Sequence, residues 1–138
     1  MGEVAHTKIE EIDAIEGFFE GIRFHRAGAG LGINSFGIAI IDLAPGADEY
    51  PEHDHSPAGI GGEMFAKRPQ QLGQEEVYAA LRGAGTLEAD GETFPIDADH
   101  ITRVGPEVKR KVTPGPEGLR LLVVGATPGE PYDTGGRL

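Results

Sequence analysis

Apolar positions along this chain come in short runs that are repeatedly broken by glycine, proline or aspartate. Near the start, Thr7-Lys8-Ile9-Glu10 has the form of a capping box, and Ile9, Ile12 and Ile15 follow at helix-like spacing, so one short helix is predicted. After Gly17 the pattern changes. GIRFHRAG and NSFGIAIIDLAPG are rich in β-branched and aromatic residues and end at glycine or proline, which predicts strands. Further strands are predicted over 76–81, 85–89, 92–96, 101–104, 108–113 and 119–124. Turn signals stand between them at Arg82-Gly83-Ala84-Gly85, Asp90-Gly91, Asp97-Ala98-Asp99, Gly105-Pro106 and Pro114-Gly115-Pro116. Asp90-Gly91 is the strongest hairpin signal, because both turn positions tolerate positive φ. Many short antiparallel strands in a chain of this size predict a sandwich or a small barrel.

One stretch fits no period. Residues 56–74, SPAGIGGEMFAKRPQQLGQ, are longer than an ordinary hairpin loop. Long ordered loops in compact domains often serve as lids or contact surfaces. The alternative is a disordered excursion. Met64 and Phe65 favour at least partial packing.

Composition narrows the picture. A length of 138 residues suits one domain, and no repeat, linker or low-complexity block divides the chain. The 22 glycines and 10 prolines agree with short strands and many turns. The formal net charge of −11 opposes binding to phosphate backbones and anionic membranes, so neither nucleic acid nor membrane is expected as a partner. Lys109-Arg110-Lys111 is too short a basic cluster to reverse that. Cysteine is absent, which excludes thiolate chemistry and fits a cytoplasmic protein. The segment MGEVAHTKIEEID has no apolar core of signal-peptide length, and no run reaches the length of a membrane span.

The chemistry concentrates in EYPEHDHSPAG, residues 49–59. On a strand, His53 and His55 would lie on one face with Cα atoms roughly 6–7 Å apart. Imidazole is a ligand for manganese, iron, nickel, copper and zinc. The pair by itself equally describes two hydrogen-bonded or exposed histidines at a strand end.

The sequence around the pair resembles the first motif of the cupin superfamily, small jelly-roll β-barrels. That motif is a glycine, five residues, His-x-His, three or four residues, Glu, six residues, Gly. His53 and His55 match it, and Glu76 stands at the motif's distance from Gly83. Gly46 lies one residue further from His53 than the pattern asks, and 20 residues separate His55 from Glu76. The insertion is the irregular stretch 56–74. The resemblance covers about residues 35–125. It implies a single-domain antiparallel jelly-roll β-barrel, with His53, His55 and Glu76 lining the interior as ligands of one divalent metal. Two imidazoles and one carboxylate form a facial set that leaves positions open for water or substrate. Glu75 has the opposite strand parity, and Glu63 lies in the insertion.

The second motif ends on a histidine, the fourth ligand: Gly, five residues, Pro-x-Gly, two residues, His. Laid on this chain, Asp99, Gly105, Glu107 and Arg110 occupy its four places, so none of its identities survives. Arginine is always cationic and cannot ligate. Either a metal sits on His53, His55 and Glu76 and Arg110 contacts an anionic substrate, or no metal binds and Arg110 pairs with Glu76. A register slip would turn Lys109 or Lys111 inward and leave Arg110 solvated. His100 and His25 are expected at the surface or packed. Tyr78 shares the parity of Glu76 and either donates to a bound ligand or is a core residue. The apolar wall comes from Phe36, Ile38 and Ile40 or from the alternate set with Ile41 and Leu43.

Two readings of function follow. The first is a metal-dependent enzyme or binder acting on a small organic molecule, with oxygenase or isomerase chemistry implied by the resemblance, and with Tyr78 and Arg110 as catalytic candidates. The second is a metal-free cupin that binds a small anion through Arg110, as a sensor or store. Relatives of this kind are commonly dimers, and a free sheet edge gives a physical reason for a homodimer.

Overall fold

A computed structural model of the chain describes residues 3–135. Seven strands form one antiparallel sheet: β1 (Ala14–Ile15), β2 (Ile22–His25), β3 (Gly37–Leu43), β4 (Glu75–Ala89), β5 (Glu92–Ile96), β6 (Ile101–Val104) and β7 (Arg110–Ala126). Their order is β1-β2-β3-β7-β4-β5, with β6 also paired to β4. The fold is mostly β, as predicted, in the manner of a jelly roll. The sheet is not closed into a barrel. The reason lies in the segment that carries His53 and His55, which joins the sheet only through one isolated bridge, His53 to Arg110. Pro45, Pro51 and Pro57 interrupt it, and a proline has no N–H to give to a ladder.

The sheet is built around a long ribbon. β4 and β7 pair from Glu75↔Ala126 to Ala89↔Arg110, with register shifts between Ala80 and Arg82 and between Gly83 and Gly85. The sequence predicts turns at 82–85 and 114–116; the chain instead runs through both as bulged strand. The first shift adds one residue to β4 and the second adds three to β7; an odd number of extra residues exchanges the faces of the strand that carries them. Buried positions in β4 are Glu76 and Tyr78 before the bulges and Leu87 and Ala89 after them. In β7 the buried positions change from Arg110, Val112 and Pro114 to Leu119, Leu121, Val123 and Gly125 on the core side, with Gly118 and Arg120 buried on the other. Both halves therefore keep their apolar side chains in one core, which Ile41, Leu43 and Ile96 complete. The wall of β3 is thus the set with Ile41 and Leu43. Gly83 permits the bend: its φ is +74°, and a Cβ there would lie 2.2 Å from the Gly118 carbonyl oxygen.

The predicted Asp90-Gly91 hairpin is present, with φ of 54° at Asp90 and 78° at Gly91. The predicted N-terminal helix reduces to one 3-10 turn, Ile9–Glu11, with no side-chain cap. The Thr7 hydroxyl donates instead to the carbonyl of Lys8, and Ile15 belongs to β1. A helix that the sequence does not announce, α1 (Ala27–Leu31), follows β2. Its AGAGL run is too short and too glycine-rich to show a period. Tertiary packing explains both pieces, because Ile12 and Ala27 cover Ile40 on the outer face of β3 in a second small core. No helix among the described residues is long and apolar enough to cross a membrane.

A buried charge network ties the outer face together. Arg120 faces Asp42 across the β3–β7 ladder, and its Nε and Nη2 donate to Asp42 Oδ1 and Oδ2 at 2.7 and 3.0 Å. His25 Nε2 lies 2.8 Å from Asp42 Oδ2, so His25 is packed, as expected. Burial alone would raise the Asp42 carboxyl; Arg120 and His25 overcome it and lower its pKa from an ordinary 3.8 to about 2. A carboxylate with a depressed folded pKa stabilises the fold above its unfolded value, and the contribution is lost as pH falls through the folded one. Asp42→Asn should therefore lower stability at neutral pH by roughly 1.5–3 kcal/mol. It should also flatten the loss of stability between about pH 4 and about pH 2, as read by urea melts across that range.

Candidate metal centre

His53 and His55 come together through backbone pairing. The N–H of His53 donates to the Arg110 carbonyl at 3.0 Å and that of Arg110 returns to His53 at 2.8 Å, while His55 N–H reaches the Pro106 carbonyl at 2.8 Å. This extended run, without a full strand, turns both rings to the same side with centroids 5.3 Å apart. Glu76, second residue of β4, meets them. One ligand atom from each of the three residues lies within 4.8 Å of the others, and all three are buried. His55 Nε2 stands 3.0 Å and His53 Nε2 3.9 Å from Glu76 Oε1.

The tautomers follow from what the other ring nitrogens touch. His53 Nδ1 lies 3.1 Å from the Pro51 carbonyl and His55 Nδ1 2.6 Å from the Gln71 carbonyl. A carbonyl oxygen only accepts, so both Nδ1 atoms carry hydrogen. In the neutral rings both Nε2 lone pairs then face Glu76, which is the orientation a metal ligand needs. Two acceptors 3.0 Å apart repel unless a cation stands between them. Cis ligands of one ion with bonds of about 2.0–2.2 Å lie about 3 Å apart, so the donor set suits a transition metal and the His55–Glu76 spacing matches one, with His53 Nε2 further out at 3.9 Å.

The same carboxylate is crowded with donors. Tyr78 Oη donates to Glu76 Oε1 at 2.7 Å, and Arg110 Nη1 at 3.3 Å. Burial by itself would raise the Glu76 carboxyl; hydrogen bonds from His53 and His55, where their Nε2 atoms carry a proton, and from Tyr78 prevail and hold it well below the usual carboxylate range. Tyr78 is pushed the opposite way, by burial first and then by the Glu76 charge, and stays a neutral donor. Arg110 is 0 % exposed. Its Nη2 donates to the Gly105 carbonyl at 2.6 Å, and its Nε has no partner. The register thus turns Arg110 inward, while Lys111 donates outward to the carbonyls of Asp48 and Tyr50. Glu75 faces Arg103 at 2.5 Å, Glu63 is exposed, and His100 sits at the surface against Asp97.

Residues 56–74 are ordered. They form α2 (Ile60–Met64) and a 3-10 turn, Pro69–Gln71. Asp54, between the two histidines, staples them down. Its carboxylate accepts from the N–H groups of Ser56, Ile60 and Gly61 at 3.1, 3.2 and 2.7 Å. The contact needs small neighbours, because a Cβ on Gly59 would lie 2.2 Å from Asp54 Oδ2. The insertion supplies part of the site in return. Gln71 holds the His55 ring, Gly73 N–H donates to the His55 carbonyl at 2.7 Å, and Phe65 stacks on His55 with centroids 4.8 Å apart. Tyr50 stacks on His53 at 5.8 Å. Sequence patterning passes over Asp54, Gln71 and Tyr50, since nothing in their spacing marks them; the apolar Met64-Phe65 pair is the one signal the insertion offers.

Comparison with known structures agrees with this architecture. A cupin protein from Bacteroides fragilis superposes with a TM-score of 0.63 at 19% identity, over 97% of this chain and 94% of that one. A sugar phosphate isomerase from a cupin superfamily, from Silicibacter pomeroyi, gives 0.66 at 19% identity over 88% and 75%. A predicted oxalate decarboxylase from Thermotoga maritima gives 0.64 at 18% over 89% and 99%. No family model matches the sequence, and no curated protein matches it. The chain has the cupin fold.

Removing the Asp54 carboxylate should release the insertion without unfolding the sheet. Asp54→Ala should speed tryptic cleavage at Lys67 and Arg68, both exposed, by about tenfold or more, the opening expected when hydrogen bonds to a charged group are lost. Limited proteolysis with circular dichroism of the intact β-signal checks it.

Proposed function

We propose that this chain binds a divalent transition metal, drawn from Mn, Fe, Ni, Cu and Zn, and uses it to bind or transform a small organic molecule. His53, His55 and Glu76 would hold the ion. The observation that carries this reading is the convergence of two Nδ1-tethered imidazoles on one carboxylate, with 3.0 Å between His55 Nε2 and Glu76 Oε1. A bound ion of this kind supplies Lewis acidity, and with Mn, Fe or Cu also one-electron chemistry. Tyr78 keeps its proton on the Glu76 side and orients that carboxylate. Arg110 offsets the Glu76 charge, which weakens a dication relative to an unpaired carboxylate. Neighbours named as a sugar phosphate isomerase and as a predicted oxalate decarboxylase support an enzymatic reading in general, and the fold does not choose a reaction. The reading includes a cytoplasmic homodimer paired through a free edge of the sheet, such as that of β1 or β5.

A second reading rests on the Arg110–Glu76 contact of 3.3 Å. With no metal, Arg110 pairs with Glu76 and is the cation an anionic ligand would meet.

Protein purified without a His-tag should carry about one equivalent of metal per chain by elemental analysis. His55→Ala should lower metal affinity by at least about tenfold. Stoichiometry near zero for all five metals in the native protein, with a sharp gain in Arg110→His, would instead establish the second reading.

A further inference from the structure

A cavity of about 630 Å³ opens over His53 and Glu76, and its lining differs from the rest of the molecule in two respects. The first is apolar exposure. Phe18, Phe36 and Met64, with 73, 38 and 40 % of their surface open, all stand along it. From this rim a ladder of rings leads inward. Phe19, Phe24, Tyr50 and His53 follow one another at centroid distances of 6.1, 6.0 and 5.8 Å. Exposed apolar side chains gathered at one concave site mark a ligand with an apolar body. Rings in series favour a flat one, because offset and edge contacts between π-systems add to simple burial.

The second respect is charge. The chain carries −11 overall, yet the cavity's formally charged side chains are Arg26, Arg68 and Glu76. Glu76 already receives Tyr78 and Arg110. Arg26 is paired with Asp13, but its Nε is buried without a partner. Arg68 is exposed at the rim, and its guanidinium makes no hydrogen bond or ion pair among the described residues. A cation left unpaired at the mouth of a cavity, on a protein otherwise strongly acidic, selects anions. Its planar fork suits a carboxylate in particular.

We infer that this cavity takes a small aromatic carboxylic acid, its ring against the Phe24–Tyr50 ladder and its carboxylate on Arg68. The inference rests on the preceding reading only for the location of the site.

Calorimetric titration of the full chain with benzoate, benzamide and ribose 5-phosphate tests it, with metal content measured on the same samples. Benzoate should bind, and benzamide, of the same shape without the charge, about tenfold more weakly. Arg68→Gln, a surface change that leaves the melting temperature unaltered, should reduce benzoate affinity about tenfold and leave benzamide unchanged. Four results would overturn the proposal: no benzoate binding at millimolar concentration, equal affinity for benzoate and benzamide, no effect of Arg68→Gln, or tighter binding of ribose 5-phosphate. A metal-free protein that still binds benzoate through Arg68 fails the metal reading and keeps this one. A metal-loaded protein indifferent to benzoate does the reverse.

Discussion

The Glu76 carboxylate is the point on which the interior depends. Tyr78, His55 and Arg110 all direct a polar atom at one of its oxygens, and His53 stands just beyond. A carboxylate this deeply buried is stable as an anion only when such partners surround it. Each partner is held in turn by backbone. Arg110 and His53 share the bridge that fastens the histidine segment to β7, and His55 is tied to Pro106 on one side and Gly73 on the other. The charge arrangement and the strand arrangement are therefore one structure. If Glu76 moved, the bridge, the insertion and the inner end of β7 would lose their common partner.

That dependence explains why the open sheet does not leave the site loose. A closed ladder would hold the histidines by many hydrogen bonds. Here prolines remove donors from the segment before and after the pair, and side chains replace the missing ladder. Asp54 binds the insertion, Lys111 holds the carbonyls before His53, and Phe65 and Tyr50 stack against the two rings. The insertion is thereby part of the wall of the site and not an appendage to it.

Many of the strand positions were legible because their signals are local. β3, β5 and β6 are short runs between glycine, proline or aspartate, and Asp90-Gly91 has a backbone preference that needs no tertiary help. The two long strands were not legible as such. Gly83, Gly85 and Pro114-Gly115-Pro116 have the local chemistry of turns, and only pairing between β4 and β7 makes them bulges and bends inside continuous strands. The same holds for the N-terminus, where a capping-box pattern yields a single turn because Ile12 is needed over Ile40.

The sequence by itself determined an acidic, cysteine-free β-fold of cupin type, and it marked His53, His55, Glu76, Tyr78 and Arg110 as the residues on which its chemistry would turn. The β-fold follows from local signals, the cupin type and the places of Glu76 and Arg110 from the resemblance to two short motifs, and Tyr78 from its parity with Glu76. Tertiary structure decided which way the doubtful elements go. It placed Arg110 against Glu76, set both histidine tautomers through carbonyls of Pro51 and Gln71, and left the Arg68 guanidinium, among the described residues, without a partner on a cavity that a ladder of rings also lines. Those facts depend on groups up to tens of residues apart along the chain that meet only when the sheet bends. No local pattern carries them.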